Sequence, residues 1–254
     1  MKEPFMQQRS LIDQLCEYDT ALLANTIGYL DPTPPEQYYM GGSIRSLTPT
    51  VAPTAGIAVT TVWDGCSPGK EDDADAFWTL MDQMRAMDAP SIWVVQAVGP
   101  RPDHNCIMGD GMAKMMHSCG AVGVVTNGGV RDIPGMMATP FSVHARGTVI
   151  HHTGCRCISI NQPVEVGGIT VNPSDMLHTN AEGVIKIPPG CAEQLPEAAA
   201  RMRAFEHEVH RISRQKNVSA TEVQAATQQA LEKYGFAESS ATGSGEVWST
   251  QPKK

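Results

Sequence analysis

The chain has 254 residues, of which 41% are hydrophobic, enough for one large domain or two small ones. Lysine and arginine number 19 against 27 acidic residues, so the formal net charge is -8. This charge repels nucleic-acid phosphates and anionic lipid surfaces, and we expect neither nucleic acid nor a membrane as a direct partner. The sequence contains no apolar run of membrane-spanning length and no signal-peptide pattern, so we expect a cytoplasmic protein with reduced cysteines.

The first part of the chain alternates helical and extended patterns. In chain order they predict a helix over 8–30, a strand over 56–63, a helix after the acidic residues 71–75, a strand over 91–98, a helix over 109–119 and strands over 121–126 and 141–143. Alternating strands and helices are typical of parallel pairing with right-handed crossovers. We therefore predict a parallel sheet in the middle of the chain.

After Cys155 the pattern changes to short strands and turns, which are typical of an antiparallel sheet. Two amphipathic helices are predicted over 192–214 and 221–234. Residues 237–254 are rich in serine, threonine and glycine and have no apolar period, so we expect a disordered tail. These patterns predict a single domain over residues 1–236, with C-terminal helices at about 190–236.

Two clusters of glycines and charged residues carry the candidate chemistry. A helix that opens behind Gly109 leaves backbone N–H groups available for a carboxylate or phosphate. Arg131 offers a bidentate fork for a carboxylate, and Asp132 is a hard oxygen ligand suited to Mg²⁺. Composition alone leaves open the alternative that Arg131 and Asp132 form only a local ion pair and have no role in a functional site. The sequence has no dinucleotide-binding fingerprint and no P-loop motif, which disfavours NAD and ATP.

Five sequence segments, taken together and in order, point to a known family. They are GDGMA (109–113), GVVTNGGVRD (123–132), HARG (144–147), VGGITVNPSD (166–175) and EGV (182–184). This succession resembles the RraA-like family, which includes the class II 4-hydroxy-4-methyl-2-oxoglutarate and 4-carboxy-4-hydroxy-2-oxoadipate aldolases. The resemblance extends over roughly Leu22 to Ala204.

The resemblance implies a fold and an activity. The fold is α/β, a layered α/β/β sandwich with a central, mixed, barrel-like sheet and C-terminal helices. The implied assembly is a homotrimer or homohexamer with active sites at the subunit interfaces, and the implied cofactor is Mg²⁺ or Mn²⁺. The implied activity is that of a metal-dependent lyase, an aldolase that cleaves a 2-oxo acid substrate to release pyruvate. The same enolate chemistry predicts oxaloacetate decarboxylation as a side activity.

The resemblance also assigns roles to individual residues. Asp132 binds the metal, Asp110 holds a metal-bound water, and Arg131 orients the substrate near the cleaved bond. The backbone amides assigned to the pyruvyl carboxylate are those of Gly109, Gly111, Met112 and their neighbours. This chemistry needs no Schiff-base lysine, and we interpret Lys114 as a solvated lysine on an exposed helix.

The chain departs from the family at Gly135, where the aldolases usually carry an acidic residue three positions after the metal-binding aspartate. A drifted substrate is therefore an open alternative. A second carboxylate can come from the C-terminal helix of a neighbouring subunit, through Glu206 or Glu208, unless that helix face is only solvated. The rival function is a non-catalytic protein-binding regulator, as in the ribonuclease-inhibiting branch of the family. The presence of Asp132 favours the enzyme.

Residues 151–157 carry histidine and cysteine at close spacing, but structural zinc sites require two spaced ligand pairs. We interpret this segment as a loop at the rim of the site. His151 or His152 is then within reach of a substrate carboxylate.

Overall fold

A computed structural model describes residues 3–69, 71, 74–154 and 156–237, so all of the tail predicted over residues 237–254 except Ala237 lies outside the described residues. The chain divides into two compact units, residues 1–20 with 36–187 and residues 21–35 with 188–254. The single domain over residues 1–236 stays a prediction. Within the described ranges, no helix combines the length and the apolar character that crossing a membrane requires.

The helices and strands follow one another in the alternating order that the sequence patterns predict for the middle of the chain. The helices are α1 (Glu3–Leu15), α2 (Thr20–Leu30), α3 (Ala74–Arg85), α4 (Asp110–Ser118), α5 (Ile133–Met137), α6 (Leu195–Ser213) and α7 (Ala220–Tyr234). The strands are β1 (Arg45–Ser46), β2 (Thr54–Trp63), β3 (Ser91–Ala97), β4 (Cys106–Met108), β5 (Ala121–Thr126), β6 (Gly129–Val130), β7 (Ser142–Ala145), β8 (Gly147–Thr148), β9 (Cys157–Ile160), β10 (Val164–Val166), β11 (Ile169–Val171), β12 (Met176–Asn180) and β13 (Gly183–Ile187).

The main sheet belongs to the first unit and has the order β1-β7-β5-β3-β2-β12-β13, with β9 also paired to β2. Its centre is parallel, since β2 pairs with β3, β3 with β5 and β5 with β7 in the same direction. Antiparallel strands flank this centre, and the sheet is mixed and nearly closed like a barrel. The predicted mixed α/β fold with a barrel-like sheet is confirmed.

Strand β3 illustrates how the core is divided between the two faces of the sheet. Trp93 and Val95 pack into a cluster with apolar side chains of α3 and α4. Ile92 and Val94 point to the opposite face and pack against the hairpin formed by β10 and β11. Side chains on a strand alternate between faces, so one buried strand contributes to both clusters. The result is a helix layer, a central sheet and a small β layer.

A smaller parallel sheet of β4, β6 and β8 positions the candidate site. Cys106 pairs with Gly129 and Met108 with Val130. The chain leaves β4 directly into α4 and leaves β6 directly into Arg131, whose N–H donates to the Met108 carbonyl at 2.9 Å. The two segments that the sequence singles out therefore begin side by side.

The second unit contains most of α2 together with α6 and α7. Phe205 on α6 meets the rings of Tyr234 and Phe236, with centroids 6.5 and 6.3 Å apart. The side chain of Ser219 caps α7 in a reciprocal arrangement with Glu222. Both predicted C-terminal helices are present in this unit.

The continuous helix predicted over 8–30 is wrong. Helix α1 ends at Leu15, and α2 begins only at Thr20. Asp19 is a residue type that favours the position just before a helix, and the Thr20 hydroxyl is anchored by a 2.9 Å hydrogen bond to the buried His178 ring. The apolar residues keep their helical spacing across residues 16–19, so the sequence pattern does not reveal that the helix is interrupted there.

Candidate functional site

A cavity of about 290 Å³ in the first unit brings together the predicted site residues of that unit. Its lining residues are Trp63, Cys106, Ile107, Met108, Gly109, Asp110, Gly111, Met112, Arg131, Asp132, His152, Thr153 and Gly154. The cavity thus contains two carboxylates, one guanidinium and the start of a helix, between apolar walls. Few, convergent polar groups in an apolar cavity are typical of a small-molecule site.

The start of α4 forms one side of this cavity. Gly109 precedes the helix in an extended conformation (φ -117°, ψ 179°), and its carbonyl accepts from the Ala113 N–H at 3.0 Å. Helix geometry leaves the N–H groups of the first turn without intrahelical acceptors. These N–H groups and the positive end of the helix dipole favour a carboxylate at this place.

Arg131 and Asp132 line the same cavity. Asp132 has a left-handed backbone (φ 60°, ψ 37°), a conformation that aspartate tolerates better than most residues and that clusters at functional sites. Its carbonyl accepts from the N–H groups of Gly135 and Met136, which starts α5, while its carboxylate does not cap that helix. Oδ2 of Asp132 lies 3.4 Å from Nε of Arg131, and both side chains are partly exposed. The carboxylate is thus presented to the cavity.

Asp110 forms an ion pair with Lys114, the lysine that the sequence predicts to be solvated. Nζ of Lys114 lies 2.6 Å from Oδ2 of Asp110, one helical turn apart on the same face. The lysine remains 57% exposed, yet its hydrogen bond holds the pKa of the Asp110 carboxyl below its usual value. Asp110 is therefore an ionised, oriented carboxylate.

Two polar residues that the sequence patterns did not single out stabilise the cavity wall. Asn105 is fully buried, accepts from the Gly65 N–H at 2.6 Å and donates its amide to the Val98 carbonyl at 3.3 Å. The Thr153 hydroxyl accepts from the N–H of Cys106 at 3.0 Å. These bonds connect the loops after β2, β3 and β8, and no local sequence signal marks either residue.

A buried ion pair supports the loop after β2. Nη2 of Arg156 lies 3.1 Å from Oδ1 of Asp64, whose side chain is only 5% exposed. Burial raises the pKa of Asp64, but hydrogen bonds from Ser67, Cys66 and Arg156 outweigh it and leave the pKa below its usual value. Nε of Arg156 is buried without a hydrogen-bond partner among the described residues.

The two glutamates proposed as ligands from a neighbouring subunit lie on α6 in the second unit. Oε2 of Glu208 accepts from Nζ of Lys233 at 2.6 Å and from the Tyr234 hydroxyl at 2.9 Å. Glu206 accepts a longer bond, 3.5 Å, from the amide of Asn25. Their role across a subunit interface stays a prediction.

Comparisons with known proteins give a family and a fold. The model of the RraA-like family, described as Aldolase/RraA, matches residues 30–186. A protein of Halalkalibacterium halodurans, named "Putative 4-hydroxy-4-methyl-2-oxoglutarate aldolase", is 34% identical over 99 residues, which are 39% of this chain and 47% of that protein. The chain thus spans about half the length of this curated relative.

Two solved structures share the fold. An uncharacterized protein from Pseudomonas syringae pv. tomato superposes with a TM-score of 0.63 at 21% identity, over 85% of this chain and 96% of that one. A Streptomyces coelicolor protein, described as an unusual member of the RNase ES inhibitor RraA family, superposes with a TM-score of 0.59 at 21% identity, over 82% and 96% of the two chains. At such identities the likeness concerns the fold alone.

Proposed function

Because the chain belongs to the RraA-like family, we propose that it is a divalent-metal-dependent lyase that cleaves a 2-oxo or hydroxy-oxo dicarboxylic acid and releases pyruvate. The observation that carries this proposal is the joint presence of Asp132, Arg131 and the start of α4 in one cavity of about 290 Å³. The aldolase name of the 34% identical relative supports the same reaction class.

The donor set fits a magnesium-like ion. Asp110 and Asp132 offer hard carboxylate oxygens, and Mg²⁺ is usually bound by one or two carboxylates together with water and substrate oxygens. In the part of the chain that the structure describes, no group of three histidine, cysteine or acidic residues is arranged to enclose a metal. A site with few protein ligands leaves coordination positions for a substrate. Mg²⁺ or Mn²⁺ held by Asp132, with Asp110 nearby, is therefore part of the proposal.

The residues of the cavity have separate roles in binding and cleavage. The N–H groups at the start of α4, around Gly109, Gly111 and Met112, receive the carboxylate next to the 2-oxo group. The guanidinium of Arg131 binds and orients the part of the substrate beyond the bond that breaks. The Asp110 carboxylate, ionised and held by Lys114, accepts a hydrogen bond from water in the cavity.

In the reaction, the proton of the 4-hydroxyl group passes to the water that Asp110 holds, C4 becomes a carbonyl as the bond between C3 and C4 breaks, and the electron pair of that bond forms the enolate of the 2-oxo fragment. A divalent ion, when bound, supplies Lewis-acid stabilisation of the resulting enolate charge. Met108 and Met112 provide an apolar wall of the cavity beside these charged groups. Protonation of the enolate carbon then completes pyruvate. Loss of carbon dioxide from oxaloacetate leaves the same enolate, which makes decarboxylation the proposed side activity.

The test is pyruvate release from 4-hydroxy-4-methyl-2-oxoglutarate and from oxaloacetate, followed by a coupled assay with Mg²⁺, with Mn²⁺ and with EDTA. Turnover that requires the metal supports the proposal. Absence of pyruvate with both substrates and both metals would overturn it and leave the regulator or a drifted substrate. A cytoplasmic location and a homotrimer or homohexamer remain predictions, the latter checked by light scattering.

A further inference from the structure

Residues 149–154, which we call the rim bridge, form a loop that is anchored at both ends. At the first end, the N–H of Val149 donates to the Val130 carbonyl at 2.9 Å. At the other end, the N–H of Gly154 donates to the Gly65 carbonyl at 3.3 Å. The rim bridge thus connects the end of β6 with the loop that follows β2.

The side chain of Thr153 adds a third anchor. Its hydroxyl accepts from the Cys106 N–H at 3.0 Å and donates to the Cys106 carbonyl at 3.2 Å. A Cβ built on Gly65 would lie 2.9 Å from this hydroxyl oxygen and 2.6 Å from the Gly154 carbonyl oxygen. The rim bridge therefore packs closely against the backbone after β2, and the residue before Thr153 is held in place from one side.

That residue is His152, which lines the cavity, whereas its neighbour His151 does not. Both histidines are exposed. Nδ1 of His151 donates to the His152 carbonyl. The ring of His152, in contrast, has no hydrogen-bond partner among the described residues. The rim bridge thus contributes one uncommitted imidazole to the site.

The other nitrogen and hydroxyl donors of the lining side chains already have partners. The indole N–H of Trp63 and the hydroxyl of Thr153 both donate to backbone carbonyls. Arg131 is the only arginine or lysine in the lining, and its Nε lies 3.4 Å from Oδ2 of Asp132. His152 is therefore the remaining side chain with which the cavity can bind additional negative charge.

An imidazole beside such a cavity can bind either a metal or an anion. In the ranges that the structure describes, no three histidine, cysteine or acidic residues are grouped to hold a metal, so His152 does not complete a ligand set with Asp110 and Asp132. An imidazole that donates an N–H, above all a protonated one, binds carboxylates. The substrate of the proposed reaction carries more than one carboxylate, which favours the anion.

We propose that His152 is a specificity-determining residue that binds a carboxylate at the far end of the substrate, and that Thr153 is the positioning residue that holds it at the cavity. The inference rests on the proposed lyase for the nature of the substrate. The start of α4 and the Arg131 guanidinium then receive two carboxylates, and His152 receives a third. A substrate with two carboxylates leaves His152 unused.

The first test uses two acids that do not react. Tricarballylate is glutarate with one more carboxylate on its central carbon, so the two acids form a matched pair. Calorimetry gives the affinity for each acid in a buffer that contains Mg²⁺, and the readout is the ratio of the two affinities. The variants are His152→Ala and Thr153→Val, with His151→Ala and Thr153→Ser as their matched controls.

We expect the native protein to prefer tricarballylate, and His152→Ala to reduce the ratio about tenfold, the effect of one charge-assisted hydrogen bond. His151→Ala should leave the ratio within about twofold of native, as a surface substitution does. Thr153→Val loses both bonds to Cys106 and should reduce the ratio about threefold. Thr153→Ser keeps the hydroxyl and should retain the native ratio.

Turnover gives a second readout. 4-Carboxy-4-hydroxy-2-oxoadipate differs from 4-hydroxy-4-methyl-2-oxoglutarate by one carboxylate on the 4-methyl carbon, where no bond changes in the reaction. His152→Ala should therefore raise KM for the tricarboxylic acid about tenfold and leave kcat within about twofold of native. Both constants for the dicarboxylic acid should stay at their native values.

A native ratio in His152→Ala, or a native protein that does not prefer tricarballylate, would overturn the carboxylate contact. An equal loss in His151→Ala would do the same, because it would assign the preference to the charge of the loop as a whole. A native ratio in Thr153→Val would refute the positioning role of Thr153. If neither substrate releases pyruvate while His152→Ala still lowers the ratio, the proposed lyase fails and the carboxylate contact stands.

Discussion

The α-carbon of Gly109 lies against the carboxylate of Asp132: a Cβ built on Gly109 would be 2.7 Å from Oδ2 of Asp132. The same Cβ would be 3.3 Å from Nε of Arg131. Gly109 is the residue before α4, so this approach places the Asp132 carboxylate beside the first N–H groups of the helix. The start of α4 and the Arg131–Asp132 turn are thus one site.

Gly109→Ala should therefore displace Asp132 and Arg131 without introducing any new charge. We expect kcat/KM for pyruvate release to fall by about 100-fold, because a displacement of about 1 Å at a reacting centre has an effect of that size. The control is Gly183→Ala in the hairpin of β12 and β13, where a new Cβ meets nothing within 4 Å. Equal activity of the two variants would contradict the close packing.

Arg131→Lys tests the guanidinium. Lysine keeps the charge but loses the planar fork that binds a carboxylate through two hydrogen bonds. We expect kcat/KM to fall by about 10- to 100-fold with little change in the unfolding midpoint. Arg85→Lys on α3, outside the lining of the cavity, is the control. Activity retained by Arg131→Lys would mean that only a positive charge is needed.

The parallel centre of the sheet could be predicted because β2, β3 and β5 are runs of apolar, largely β-branched residues, the pattern of strands buried on both faces. Strand β12 was not predicted. His178 and Thr179 on this strand are both buried. Nδ1 of His178 pairs with the Thr20 hydroxyl, and the Thr179 hydroxyl pairs with that of Ser142; both partners are distant in sequence. A polar residue signals a buried strand only once its partners are known.

The candidate site was predictable to a similar degree. Glycines next to charged residues marked Asp110, Arg131 and Asp132, since helix starts and tight turns have local signatures. The pairing of Lys114 with Asp110 and the close approach of Asp110 to the α-carbon of Gly135 were not predictable. Both depend on how α4 and α5 approach each other, which no spacing along the chain specifies.

Two buried histidines make the protein sensitive to acid. His144 and His178 are 1% and 0% exposed, and burial lowers the pKa of each from 6.5 to about 4. Below pH 6.5 the unfolded chain binds protons that the folded chain does not, so stability is full above pH 6.5 and decreases as the pH falls toward 4. Each histidine should reduce the free energy of unfolding by about 2 kcal/mol at pH 5.

Urea unfolding at pH 7.5 and pH 5 measures this loss. His178→Gln should remove about half of the pH dependence, and His207→Gln, an exposed position on α6, should leave it unchanged. Asp64 does not contribute to the change in stability between pH 7.5 and pH 5. Its pKa is lowered in the folded protein, so the stability that it provides is lost only below the ordinary carboxyl pKa, near pH 4. The same free energy of unfolding at both pH values would contradict the buried neutral state of the histidines.

The Asp64–Arg156 pair supports the loop after β2. Arg156→Met leaves the Asp64 carboxylate buried without its cation and should lower the free energy of unfolding by about 3 kcal/mol. Asp64→Asn together with Arg156→Met should cost less than Arg156→Met alone. Lys233→Met, which breaks the exposed pair with Glu208, is the control and should have a much smaller effect. A double variant less stable than Arg156→Met would refute a buried charge as the cause.

The most direct test of the proposed lyase is Asp132→Asn, because asparagine tolerates the left-handed backbone at this position and removes only the charge. The measurement is the rate of metal-dependent pyruvate release, with Asp82→Asn, an exposed position on α3, as the control. We predict a decrease of at least about 100-fold for Asp132→Asn, no change for Asp82→Asn and similar unfolding midpoints for both. Pyruvate release at the native rate by Asp132→Asn would contradict the central role of this carboxylate.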